Sequence, residues 1–303
     1  MANQKAMKQR DVDDILKKLE ESVLQIFSSE YYLKTYLSTY AKFHKYSFNN
    51  VLWIYLQRPD ASHVASFIDW ERKFKRKVKK GSKGIKVLVP IKKKFSSTEE
   101  EILEDGTTAI NETEFQKLYF KIGNVFDVSD TVGEPLPTLI KILNFNSTFI
   151  KELIDKIVQS STIPIHIETA TQVNFGNANG YYISSSKCIY IRDELPDLQK
   201  LKTILHELSH GLQETCYEDK VKDLSRDAKE VIAEATAYTT MELLKNLFNM
   251  EELSSDDYSF GYIVSWSSGK ELKELKSTLS IISIISNTLF DWISQLTIPN
   301  LQN

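Results

Sequence analysis

The sequence predicts an α+β protein built in two parts, a mixed N-terminal domain and a mostly helical C-terminal one. Three observations predict it. Residues 12 to 27 carry apolar side chains at helical spacing (Val12, Ile15, Leu16, Leu19, Val23, Ile26). Residues 85 to 89 read instead as a strand, with Ile85, Val87 and Val89 alternating with Lys86 and Leu88. Beyond Pro135 and Pro137, apolar stripes of helical period dominate, and those prolines mark the expected boundary. The domains are therefore set at residues 1–145 and 146–303.

Composition narrows the class. The chain has 303 residues, 42% of them hydrophobic, with 10 Gly and 7 Pro. That is enough apolar material for a core, which excludes collagen-like and wholly disordered chains. Two cysteines, Cys188 and Cys216, cannot build a disulfide framework and suit a reducing, cytoplasmic compartment. The first residues hold no apolar signal core. The longest apolar-looking stretch, Leu279 to Phe290, is interrupted by serines and falls short of the ~20 residues a membrane span needs. No membrane partner is expected.

The net charge of -3 conceals an island. Between Glu71 and Lys94 there are 12 Lys/Arg and one acid, leaving 26 basic against 40 acidic groups elsewhere. Such a patch points to an anionic partner, most often nucleic acid, though charge runs are also common as plain solvated surface. The island is expected on folded structure: Trp70 and Phe74 open it, and Gly81-Ser-Lys-Gly84 is a turn before the strand. Lys77, Lys79, Lys80, Lys83 and Lys86 would follow a phosphate backbone without reading bases, and Trp70 would stack on one. The aromatic run upstream, Tyr31 to Tyr55, reads more readily as core. The acidic Glu99 to Asp105 followed by Gly106 marks Ser96 to Glu112 as a surface loop, and Leu118 to Val128 as a strand.

Tyr46-Ser-Phe-Asn-Asn50, Gln57-Arg-Pro59, Trp70, Val78-Lys-Lys-Gly-Ser-Lys-Gly-Ile85 and Val125-Phe-Asp-Val-Ser-Asp-Thr131 together resemble the N-terminal domain of ArdC-like antirestriction proteins, over roughly residues 10 to 140. The resemblance implies binding of single-stranded DNA and carriage on plasmids or conjugative elements. Composition alone implies only an anionic partner.

The second half carries His206-Glu-Leu-Ser-His210, an H-E-x-x-H motif. Leu201, Leu205, Leu208 and Leu212 give it an apolar stripe, and Pro196-Asp197 is a plausible helix start. On a helix, residues four apart lie one turn above each other, so His206 and His210 would share one Zn2+. Glu207 beside them would take a proton from water. A third ligand is needed. Cys216 stands where a further histidine would fall in the metzincin pattern, and Glu214, Glu218, Asp219, Asp223 and Asp227 lie nearby. The favoured candidate is Glu230, twenty residues after His210, a spacing similar to that in thermolysin-like zinc peptidases. Glu234 is either a ligand in its place or a hydrogen-bond partner of a ligand histidine. Gly180-Tyr-Tyr-Ile and Lys187 to Arg192 read as two strands, whose edge would hold a peptide by strand addition. Tyr181, Tyr182 and Tyr217 remain open as oxyanion donors.

The strand pair, the H-E-x-x-H helix and Glu230 to Tyr238 resemble the zincin-like domain of ArdC-type proteins and, more distantly, ImmA/IrrE-type metallopeptidases. The resemblance implies a metallopeptidase acting on an unknown protein or peptide. Two alternatives stay open: a regulatory peptidase that cleaves a repressor, and a DNA-binding protein with a non-catalytic zinc.

Overall fold

The structure is a computed structural model that describes residues 14–15, 17–102, 108–136, 148–253 and 258–296. After helical residues 17–26, the elements in chain order are α1 (Glu30–Lys42), α2 (Phe48–Gln57), β1 (Val64–Ser66), α3 (Phe67–Arg72), β2 (Arg76–Val78), β3 (Ile85–Ile102), β4 (Thr108–Asp127) and β5 (Thr131–Gly133). Then follow α4 (Thr148–Ser160), β6 (Ile165–Glu168), β7 (Gly180–Ile183), β8 (Cys188–Arg192), α5 (Asp197–Thr215), α6 (Glu218–Val221), α7 (Arg226–Phe248), α8 (Phe260–Ser267) and α9 (Leu272–Ile293). The mixture is α+β, as the sequence predicts. Among the described residues no helix is long and apolar enough to cross a membrane. Val12, Leu16, Gly106, Pro137 and the boundary at residue 145 lie outside the described residues.

The chain forms two units, and the division is discontinuous. One unit holds residues 1–19 and 56–134, the other residues 20–55 and 135–303. This differs from a cut at 145. Burial of α1 is the reason: Leu33, Tyr36, Leu37 and Tyr40 are buried, and Ser38 Oγ lies 2.6 Å from the phenol of Tyr238 on α7, 200 residues away.

In the first unit, β1, β4 and β3 form an antiparallel sheet in that order, and β2 pairs with β5. The β3–β4 ladder runs without a bulge from Ile85 opposite Val125 to Ile102 opposite Thr108. The expected surface loop over Ser96 to Glu112 is thereby corrected to strand at residues 96–102 and 108–112, while residues 103–107 lie outside the described residues. An acidic composition reports solvation, whereas a strand needs only a partner for each N–H and C=O, and β4 supplies it. Below the hairpin, Asp127 is buried at 2% exposure. Its carboxylate accepts hydrogen bonds from the backbone N–H groups of Ser62 (2.8 Å), His63 (3.1 Å) and Ser129 (2.9 Å), and from the Ser129 hydroxyl (2.7 Å). Gly133 is held at φ 147, with its Cβ position only 2.5 Å from the Lys75 carbonyl, so no other residue fits there.

In the second unit, a three-stranded sheet places β8 between β6, parallel to it, and β7, antiparallel to it. Helix α5 packs on this sheet through its stripe of Leu201, Ile204, Leu205 and Leu208, all buried. Gly211 lets it sit close: a Cβ there would meet Ile163 Cδ1 at 2.5 Å. Helix α7 crosses the other side of α5, and α9 packs on α7. The contacts of His210 with Glu230, and of His206 with both Glu230 and Glu234, set α5 and α7 antiparallel.

Candidate functional site

Helix α5 begins at Asp197, favourable to the positive end of the helix dipole, and runs 19 residues. That length carries His206 and His210 to a half-buried position facing α7. Their Nε2 atoms are 3.3 Å apart. Each lies 3.4 Å from Oε2 of Glu230, the first acidic residue of α7 beyond its opening turn. The three side chains form a donor set suited to a divalent cation. The structure thus brings together His206, His210 and Glu230, while Glu234 sits behind His206, its Oε2 3.2 Å from Nδ1. Cys216 caps the end of α5 and is no part of this group. Glu214 holds Ser184 instead, at 2.7 Å.

Electrostatics follow from this packing. Burial opposes a charge on His206, but its hydrogen bonds to Glu230 and Glu234 outweigh that and push the imidazole up to about 9. The same bonds, from His206 and then His210, hold the Glu230 carboxyl well below the usual range. Glu207, 7% exposed, is different: burial raises its pKa, with the two imidazoles pulling the other way. The backbone N–H of Tyr182 on the edge strand β7 is within reach of its carboxylate and pulls the same way as the imidazoles.

The tyrosines sort themselves by environment. The Tyr217 phenol bonds Thr288 Oγ1 at 2.6 Å. Tyr181 stacks on Tyr190, ring centres 5.6 Å apart. Tyr182 is pushed up to about 12, by burial first and then by Glu214. Tyr262 of α8 is the phenol near the triangle: it is 44% exposed and within electrostatic reach of Asp227 and Glu230. Sequence reasoning missed it, together with Lys202 and Ser259, which both reach Glu234. Lys202 had a usable signal, since it stands one helical turn before His206.

The basic island is displayed in part. Lys77, Lys79, Lys80, Lys83 and Lys86 are all exposed. Lys79, however, spends its ammonium on the Ser129 carbonyl at 2.8 Å. Lys73 pairs with Asp69 at 2.8 Å, and Arg76 bonds Thr131 Oγ1 at 2.7 Å and the Glu134 carbonyl. Trp70 requires a correction. Its ring is 0% exposed, packed on Phe74 with ring centres 4.9 Å apart, and its indole N–H donates to the Phe126 carbonyl at 2.8 Å. A ring so enclosed cannot stack on a base, and Trp70 is a core residue. Exposed rings in this unit include Tyr119 at 38% and Phe120 at 44%, on β4. Lys93 lies over the Tyr119 ring at 5.2 Å.

Comparison with known proteins adds the following. No curated protein matches the chain. Two crystal structures of the antirestriction ArdC protein from plasmid R388 are similar to it. The metal-free one has 14% identity and a TM-score of 0.45, over 84% of this chain and 87% of that one. The Mn(II)-bound one has 15% identity and a TM-score of 0.44, over 85% and 86%. Residues 5–126 match the family described as the N-terminal domain of anti-restriction factor ArdC. Over residues 5–126 the chain is thus ArdC-like, similar to the domain that this family model describes.

Proposed function

We propose that the protein binds single-stranded DNA of a mobile element through its first unit and hydrolyses a peptide bond at a zinc centre in its second. The observation that carries the second half is the triangle of His206, His210 and Glu230 with Glu207 buried beside it. Its edges of 3.3 to 3.4 Å suit zinc: donors at about 2.0–2.1 Å in tetrahedral array sit roughly 3.3–3.4 Å apart. Three protein donors, rather than four, among the described residues is the pattern of a catalytic centre, which favours an enzyme over a structural zinc. A zinc ion held there would acidify water and polarise a peptide carbonyl.

The chain's own residues supply the rest. Glu207 takes the proton of the attacking water on its carboxylate and returns it to the leaving amine as the C–N bond breaks. Burial suits it to both steps, because it raises the carboxylate's proton affinity. The Tyr182 N–H favours the ionised form of that carboxylate. For the DNA, support comes from Lys77, Lys80, Lys83 and Lys86 on a folded, exposed turn and strand, with Tyr119 and Phe120 as sequence-tolerant stacking surfaces.

The experiment is zinc analysis and peptide-library cleavage with wild type and Glu207→Gln. The variant is expected to keep zinc and cut nothing. Cleavage at the wild-type rate, or a wild type that holds no zinc, would overturn the reading.

A further inference from the structure

The carboxylate of Glu234 has both oxygens engaged. Oε2 faces Nδ1 of His206 at 3.2 Å. Oε1 accepts the backbone N–H of Ser259 at 2.8 Å and lies 3.5 Å from Nζ of Lys202. Both charged side chains are sheltered, at 12% and 13% exposure, and the ammonium rests over the ring of Tyr258, 4.1 Å from its centre. A sheltered cation is costly to desolvate unless it is closely partnered.

We propose that Lys202 is a positioning residue of the metal centre. It clamps Oε1 of Glu234, together with the Ser259 N–H, so that Oε2 stays on the Nδ1 proton of His206. A neutral imidazole has one N–H, and the partner of that N–H decides which nitrogen keeps a lone pair. With Nδ1–H held, Nε2 is the donor, and Nε2 is the atom that faces His210 and Glu230. Lys202 has a second effect. A carboxylate terminus turns readily about its last bond, and Glu234 stands one turn from Glu230. Unclamped, it would compete with Glu230 for the cation and release the His206 proton. The Lys202 charge keeps it on the histidine.

The inference rests on His206 being a ligand, and the test separates the two. Zinc affinity of the full chain is measured by chelator competition for wild type, Lys202→Met, Lys202→Arg and a His206→Ala, His210→Ala double variant. Proton NMR of the zinc-loaded protein then looks for the His206 Nδ1 proton. Wild type is expected to show that proton far downfield. Lys202→Met is expected to bind zinc about tenfold more weakly and to lose the signal, and Lys202→Arg to restore both. If Lys202→Met does not fold, Lys202→Gln reads the same quantities. Unchanged affinity and signal in the neutral variant, even with a lowered melting temperature, would overturn the proposal, as would a wild-type His206 protonated at Nε2. Failure of Lys202→Arg to restore either would do the same. Zinc retained by the double histidine variant would instead bring down the metal site itself.

Discussion

The carboxylate of Glu207 lies within electrostatic reach of the backbone N–H of Tyr182, so the H-E-x-x-H helix and the edge strand meet at the one acidic group between the two histidines. Burial leaves this carboxylate harder to ionise than usual, and that has a stability consequence. A carboxyl whose folded pKa is raised favours the fold at low pH, and that advantage is lost as pH rises through the folded pKa. In the metal-free protein at neutral pH, Glu207→Gln is therefore expected to melt no lower than wild type. The amide fills the same space without carrying a charge into a buried site. Differential scanning calorimetry with chelator present checks this, and a drop of several degrees would count against it.

Metal binding should release a proton. Without metal, His206 is held protonated up to about pH 9 by Glu230 and Glu234, and a ligand imidazole must be neutral. Zinc affinity is expected to rise about tenfold per pH unit from 7 towards 9 and then level off. About one proton per zinc should appear at pH 7. Calorimetry in two buffers of different ionisation enthalpy measures it. A flat pH dependence would mean that His206 is not displaced from its proton.

Zinc should also stabilise the second unit. At a free concentration of about one hundred times Kd, a ligand specific to the folded state adds about 2.7 kcal/mol. The melting temperature should rise with zinc in wild type and stay level in the His206→Ala, His210→Ala variant.

On the DNA side, changing Lys80, Lys83 and Lys86 together to Ala is expected to weaken single-strand binding evenly across sequences. It should flatten the log–log salt slope by about 2, at roughly 0.7 per phosphate. Tyr119→Ala and Phe120→Ala should each cost about 1–3 kcal/mol with the slope unchanged. Trp70→Ala should unfold the first unit instead, losing about 3–5 kcal/mol of stability. Fluorescence anisotropy over a salt series, with a melting curve for each variant, distinguishes these outcomes.

Asp127 gives the first unit an acid limit. Burial alone would raise its pKa, but hydrogen bonds from Ser129, Ser62 and His63 outweigh that and lower it. A depressed carboxyl contributes stability above its unfolded pKa of about 3.9 and loses it as pH falls through the folded value. Asp127→Ala should cost at least about 2 kcal/mol at pH 7. Below the folded pKa the gap to wild type should narrow. A constant gap from pH 7 to pH 2 would contradict the assignment.

How legible these features were depended on how far apart the partners lie in sequence. His206, Glu207 and His210 sit on one helix, so spacing alone placed them together. Glu230 follows on the next long helix, close enough for a residue count to suggest it. Trp70 was misread because a tryptophan beside lysines looks alike whether its ring faces water or the Phe126 carbonyl, 56 residues on. The hairpin was misread because an acidic run such as Glu99 to Glu101 is as compatible with a strand as with a loop. Tyr262, Lys202 and Ser259 were missed because each matters only through a carboxylate that the fold brings to it.

Helix α1 leaves the ribosome long before the helix it packs against. Ser38 waits 200 residues for Tyr238, while residues 56–134, which complete the first unit together with residues 1–19, are made in the interval. During synthesis the apolar face of Leu33, Leu37 and Tyr40 has to wait for that helix, open to misassociation until it arrives. The same geometry means that no single cut yields both halves intact. A fragment ending near residue 145 keeps the basic surface but carries a naked helix face, and a fragment starting there lacks the helix that covers α7. Isolating the basic unit means excising residues 20–55 and joining residues 1–19 to 56–134.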